Sequence, residues 1–131
     1  DLVALGDTTD VLAGARALAA DGALVLLTDG GRPVHLVSGA FPTVVLQVPS
    51  GPVVDTVGAG DSFGGAFLAW WLDQGRDRAT LGDPSAVTSG VRVALAASAL
   101  TCSRPGADPP TRAELGEAWS RIARGPGRIP G

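Results

Sequence analysis

The 131-residue sequence contains no methionine or tyrosine, one cysteine and one histidine, and lysine and asparagine are also missing. Without lysine there is no Walker A lysine, which excludes a P-loop nucleotide site. The lone Cys102 excludes an internal disulfide, and with only His35 beside it there is no ordinary zinc cluster. Cationic charge is scarce. All 10 basic residues are arginines against 13 carboxylates, a net charge of −3, with a pI near 4.9. That balance argues against a nucleic-acid partner, which calls for clustered positive charge. The longest strongly apolar run, Gly64 to Leu72, falls short of the roughly 20 residues that span a bilayer, so no membrane partner is expected. No basic segment followed by an apolar run opens the chain, and a cytoplasmic location is the expectation. A sequence without any methionine is expected to be a piece of something longer.

What is present describes a single α/β-type domain with a real core, at 45% hydrophobic and 18% charged residues. Residues 7–20 read as a helix, with Thr8 or Thr9 as N-cap, Asp10 in the first turn and Gly22 in the C′ position. Ala23 to Thr28 is a short apolar run of strand length, expected to be buried on both faces. A turn over Asp29–Pro33 precedes a second strand at Val34–Val37, and Thr43–Val48 forms a third. A helix is expected from Gly60 to about Asp73, with Phe63, Phe67, Trp70 and Trp71 on one face. Another runs from Pro84, behind Asp83 as N-cap, to about Cys102, where Ala94, Ala96, Ala97 and Ala99 let a neighbour approach closely. A last helix starts at Thr111, with Glu114 completing a capping box, and fades near Arg124.

Chemistry concentrates in Asp55-Thr-Val-Gly58-Ala59-Gly60-Asp61-Ser-Phe63. Three small residues in a row let backbone N–H groups crowd toward one point, and at a helix start those groups form an anion cradle. An acid directly behind such a cradle is repelled by what the cradle holds, unless it acts on it. One reading makes Asp61 a general base on a hydroxyl while the Gly58–Gly60 amides hold a phosphoryl group under attack. The other makes the string an ordinary helix start, with Asp61 placed to favour the helix dipole. Spacing alone leaves both open. On the first reading Ala59 shows that one Cβ is tolerated, so alanine at Gly58 is expected to be mild, whereas a phosphoryl group packed on Gly60 leaves no side-chain room there.

The longer pattern, with nine fixed positions of twelve from Asp55 to Ala66, resembles the second signature of the ribokinase, or PfkB, family of sugar and nucleoside kinases. Leu26-Leu27-Thr28-Asp29-Gly30 is similar to that family's nucleotide-bordering strand and loop, and Ala96 to Leu100 followed by Arg104-Pro-Gly106-Ala107 resembles its late helix and ending. The resemblance implies the C-terminal, nucleotide-binding portion of a layered α/β/α sandwich with a central, mostly parallel sheet. Residues 1–124 would belong to that kinase domain, and 125–131 to a disordered tail. It implies ATP-dependent phosphoryl transfer to a sugar hydroxyl, with Mg²⁺ on the phosphates and, as in some members, K⁺ beside them. Carried over by position, Asp61 matches the catalytic base, and Gly58, Ala59 and Gly60 the anion hole. Thr28, Gly30 and Gly60 match nucleotide contacts. Asp55 and the carbonyl of Val57 match a monovalent-cation site completed by backbone near Thr101, Arg104 and Gly106. Asp1 matches an acid on the Mg²⁺ and phosphate side.

Three positions depart from the family pattern. Pro33 stands where a second loop glycine is usual, Ala94 where Asn or His often lies near the base, and Pro110 where potassium-dependent members have Ser. A fructokinase- or ribokinase-like sugar substrate is the expectation, with a homodimer for the full-length protein and no activity for this piece alone. The alternatives are a nucleoside kinase of the same family and a non-catalytic regulatory relative, the latter opposed by the intact Asp61. A Rossmann dinucleotide site is disfavoured because its glycine fingerprint is missing. His35, in an apolar strand, reads as structural. Cys102 reads as a small buried hydrophobe, Trp70 and Trp71 as core with a partial edge, and Arg76 as solvated surface.

Overall fold

The computed structural model describes residues 8–20 and 22–116. They fall into two compact units, one running up to Val48 with Ala79–Pro84, the other comprising Pro49–Arg78 and the residues from Ser85 onward. Asp1 and the 125–131 segment lie outside the described residues, as do the side chains of Thr8, Thr9 and Asp10 and the end of the last helix near Arg124.

In the first unit α1 (Thr8–Ala20) is followed by three strands, β1 (Val25–Asp29), β2 (Arg32–Val37) and β3 (Val44–Leu46). Gly22, at φ 90°, ends α1 and donates its N–H to the Ala19 carbonyl at 3.0 Å, the left-handed stop expected of that glycine. The strands form an antiparallel meander in the order β1-β2-β3. Ala15 and Ala19 of α1 pack on Val25 and Val37, with Leu12 and Leu27 at the margin.

Two expectations change here. The described strands pair only antiparallel, so the mostly parallel central sheet is not built from these residues. Burial on both faces belongs to the middle strand β2, where Leu36 and Val37 are at most 1% exposed, whereas in β1 burial is confined to Val25. Register explains this. Val25 and Val37 oppose each other on the α1 face, Leu26 and Leu36 on the reverse face, and an edge strand has a neighbour on one side only. The second strand also begins earlier than expected, at Arg32. Between the Leu27–His35 and Asp29–Arg32 pairs, Thr28 faces both Pro33 and Val34, a bulge that accommodates a proline lacking the ladder donor. A 3-10 turn at Arg78–Gly82 has no counterpart in the sequence reading.

The second unit rests on α2 (Ala59–Asp73) and α3 (Pro84–Cys102). Phe63, Phe67, Trp70 and Trp71 are all buried, and Phe67 stacks on Trp71 with centroids 5.5 Å apart. Each such burial is worth about 1.5–3 kcal/mol before entropy is charged against it. Gly75, at φ 67°, closes α2 with paired bonds from Gly75 N–H to the Leu72 carbonyl and from Arg76 N–H to the Trp71 carbonyl. Arg76 is not solvated surface as expected. Its guanidinium lies 5.4 Å from the Trp70 ring centroid and 5.7 Å from that of Trp71, a cation–π contact on a largely desolvated face. Trp70 and Trp71 carry no exposed edge, at 1% and 5%.

α3 is long and apolar enough, by length and composition, to cross a bilayer, yet more than half of its most apolar window is buried in the protein. It exceeds the Gly64 to Leu72 run because its serines and threonines break the apolar pattern without adding charge. Ala94 and Ala97 are buried as expected, Ala99 is exposed, and the tightest approach falls at Gly90. A Cβ there would stand 2.7 Å from Cε2 of Phe67 and 3.3 Å from Cε3 of Trp70. Gly90→Ala is therefore expected to destabilise the protein by about 1–2 kcal/mol, because overpacking outweighs the roughly 1 kcal/mol that alanine gains in a helix. The midpoint of urea unfolding reads the change.

Candidate active site at the N-terminus of α2

The C-terminal end of a helix leaves carbonyls without intrahelical partners. At the end of α3 the Cys102 carbonyl receives two of them from the glycine-rich segment, the N–H of Val54 at 2.7 Å and of Asp55 at 3.1 Å. The Asp55 carboxylate then bridges two loops. Oδ1 accepts the N–H of Val57 and Oδ2 the N–H of Gly106, each at 3.0 Å. These bonds, Val57 first and Gly106 second, hold the Asp55 pKa below its ordinary value.

Gly58 turns the chain into α2 at φ 80°. A Cβ on it would meet the Cβ of Ala107 at 2.9 Å and its Cα at 3.2 Å. Alanine at Gly58 is thus far from mild, and the expectation is corrected: the tolerance at Ala59 does not extend to a left-handed residue pressed against another loop. Ala59 donates to the Thr56 carbonyl at 3.2 Å and Ser62 to the Gly58 carbonyl at 2.9 Å. The N–H groups of Gly60 and Asp61 have no hydrogen-bond partner among the described residues. A Cβ built on Gly60 meets nothing within 4 Å, and the Asp61 side chain is exposed beside it. Donors at the positive end of a helix, on exposed residues, suit an anion.

Behind this turn lies a buried polar link. The Thr101 hydroxyl, 0% exposed, donates to Ser62 Oγ at 2.7 Å, and Ser62 Oγ donates to the Ala97 carbonyl at 3.3 Å. In front, Glu114 forms the expected capping box, accepting the Thr111 N–H at 2.9 Å while its own N–H reaches Thr111 Oγ1 at 3.2 Å. Arg104 joins that box through a paired contact to Glu114 and lies 3.7 Å from Asp108. The Thr111 N–H, followed by Arg104, lowers the Glu114 pKa, and Glu114 raises that of Arg104. A cleft of about 620 Å³ runs from Gly58 and Asp61 along Gly65, Ala66 and Ala69 of α2 toward Pro109.

Asp55, Val57, Gly58, Ala59, Gly60, Asp61, Thr101, Arg104 and Gly106 all fall in the second unit. The first unit holds Thr28, exposed in β1, and Gly30, at φ 52° in the β1–β2 turn. Asp1 lies outside the described residues. Sequence reasoning missed Ser62, the side chain of Thr101, Ala107, and Glu114 as the partner of Arg104. One signal was available: Thr101 follows Ala94 and Ala97 at helical spacing, which turns its hydroxyl inward.

Comparison with known proteins decides the lineage of this arrangement. The pfkB family carbohydrate kinase model matches residues 3–114. The chain belongs to that family. A relative, the probable fructokinase-4 of Arabidopsis thaliana, is 45% identical over 64 residues, 47% of this chain and 19% of the plant protein. The fructokinase of Xylella fastidiosa, solved with bound ATP, is 30% identical with a TM-score of 0.67, covering 75% of this chain and 32% of that one. The adenosine kinase of Schistosoma mansoni, in complex with 2-fluoroadenosine, is 26% identical with a TM-score of 0.60, covering 82% and 32%. The chain thus has the α/β fold of this kinase family and spans about a third of the length of these solved members, and a fifth of the plant relative.

Two outcomes follow from this pfkB turn. Gly58→Ala is expected to lower stability by at least about 1 kcal/mol from left-handed strain alone, with the Ala107 clash added, read as a fall in Tm. For Asp55 the folded pKa is depressed, so its contribution is present above the unfolded pKa and lost as pH falls through the folded one. Asp55→Ala should therefore be less stable than wild type at neutral pH, with the gap closing below about pH 4 in an acid-unfolding profile.

Proposed function

We propose that this chain is the catalytic-base and nucleotide-binding portion of a kinase that moves the γ-phosphoryl group of ATP to a sugar hydroxyl. The observation carrying this reading is that the N–H groups of Gly58, Gly60 and Asp61 have no hydrogen-bond partner among the described residues, beside the exposed Asp61 carboxylate. The Asp61 carboxylate takes the proton from the attacking hydroxyl as the new O–P bond forms. The bond to the ADP oxygen breaks, and the amides at the start of α2 stabilise charge on the phosphoryl oxygens. Gly58 sets the direction of those amides, with Ala59 committed to the Thr56 carbonyl. Thr28 and Gly30 are assigned to the nucleotide. Mg²⁺, held on the phosphate side with Asp1 as a candidate ligand, would neutralise phosphate charge.

Asp55 and the carbonyls of Val57, Thr101, Arg104 and Gly106 offer the hard oxygen set that suits a monovalent cation such as K⁺. The bond from the Gly106 N–H to Asp55, which links the two segments, supports this reading. Similarity to two fructokinases supports a sugar acceptor, fructokinase- or ribokinase-like. Similarity to an adenosine kinase keeps a nucleoside acceptor as the second reading. The sugar pocket would come from the part of the fold that this chain does not span. Reaction with ATP fits a cytoplasmic setting.

Asp61→Asn in the intact protein should reduce kcat by a factor on the order of 10² or more while ATP binding persists, measured by coupled ADP release and calorimetry. Near wild-type turnover would remove Asp61 as the base. The 131-residue chain by itself is expected to phosphorylate no hexose, pentose or nucleoside, and turnover by the purified chain would show that it carries its own acceptor site.

A further inference from the structure

We propose that the Thr101 hydroxyl is a positioning group that fixes the first turn of α2, and through it Asp61 and the phosphate-facing amides; this rests on the kinase reading above. Thr101 touches the turn on both sides of the cradle. Its Oγ1 donates to Ser62 Oγ, one residue after Asp61, and its Cγ2 lies 3.9 Å from the Cβ position of Gly58. Its carbonyl accepts the N–H of Arg104 at 3.2 Å, at the start of the loop whose Gly106 holds Asp55. One fully buried residue thus borders the entry, the first turn and the supporting loop.

Burial alone does not require this link. Thr101 Oγ1 also lies 3.0 Å from the Ala97 carbonyl, the usual back-bond of a helical threonine, which would satisfy the hydroxyl by itself. Ser62 likewise has the Ala97 carbonyl as an acceptor. What the 2.7 Å bond between the two hydroxyls adds is a fixed orientation of α2 against α3. Asp61 and the Gly60 and Asp61 amides are carried on that turn as one body, so a small rotation moves base and donors together. A misplacement of about 1 Å at a reacting centre costs on the order of 10²-fold in rate, far more than one buried hydrogen bond contributes to stability.

The test separates hydroxyl from shape. Thr101→Val keeps the Cγ2 contact and removes the hydroxyl; Thr101→Ser keeps the hydroxyl and removes the methyl; both leave the carbonyl in place. In the intact protein Thr101→Val is expected to lose about tenfold or more in kcat with KM for ATP within about twofold, and Thr101→Ser to recover most of that loss. Ser62→Ala, which removes the other hydroxyl, should reproduce the loss and decides the matter should the valine variant not fold. Amide exchange at Ser62, whose N–H is bonded to the Gly58 carbonyl, reads the same turn without turnover. It should accelerate in Thr101→Val and Ser62→Ala, with the Trp70–Trp71 end unchanged. Wild-type kcat in those variants, equal loss in the valine and serine variants, or acceleration spread uniformly over α2 would each overturn the proposal. Failure of the kinase reading shows separately, as an intact wild-type protein that transfers no phosphoryl group from ATP to any sugar or nucleoside.

Discussion

The structure of the second unit depends on one helix end being capped by the segment that leads into another helix. The Cys102 carbonyl would be an orphan acceptor at the end of α3, and the backbone of Val54 and Asp55 satisfies it. That docking places Asp55 where its carboxylate can hold Gly106, and it brings Gly58 against Ala107 with no room for a side chain. Everything downstream inherits the geometry: the left-handed turn, the direction of α2 and the aim of its first amides.

α2 then has to meet two demands that conflict in most helices. One face carries Phe63, Phe67, Trp70 and Trp71 into the core, where aromatic stacking and the Arg76 contact make packing dense. The other face carries Asp61, Gly65, Ala66 and Ala69, small or acidic, along an open cleft. Separating the faces lets the N-terminus stay underbonded, with free donors, without loosening the helix. The opposite end is closed by the Schellman motif over Gly75.

Membership in the pfkB family gives this arrangement a context. The chain spans about a third of its solved relatives. Within that third lie the proposed base, the proposed anion-binding turn and a small antiparallel sheet.

Much of this was legible in the residues. The α2 and α3 boundaries, the Gly22 stop, the aromatic face and the Thr111–Glu114 box follow from local rules of periodicity and capping, which involve neighbours within one turn of chain. The glycine-rich turn into α2 was legible too, because small residues before an acid are readable at any helix start. Tertiary structure decided what depends on distant partners. Alanine is tolerated at position 59 and excluded at 58, since only Gly58 meets Ala107 across the loop. Pro33 belongs to a strand because a bulge in the pairing with β1 absorbs it. Arg76 is partly withdrawn from solvent because two indoles form a surface beneath it. Thr101 and Ser62, thirty-nine residues apart, share a hydrogen bond that no local pattern encodes. Sequence alone determined the elements and the chemistry available; the packing of α2 on α3 decided where each group points, because direction is set by contacts between segments and not within them.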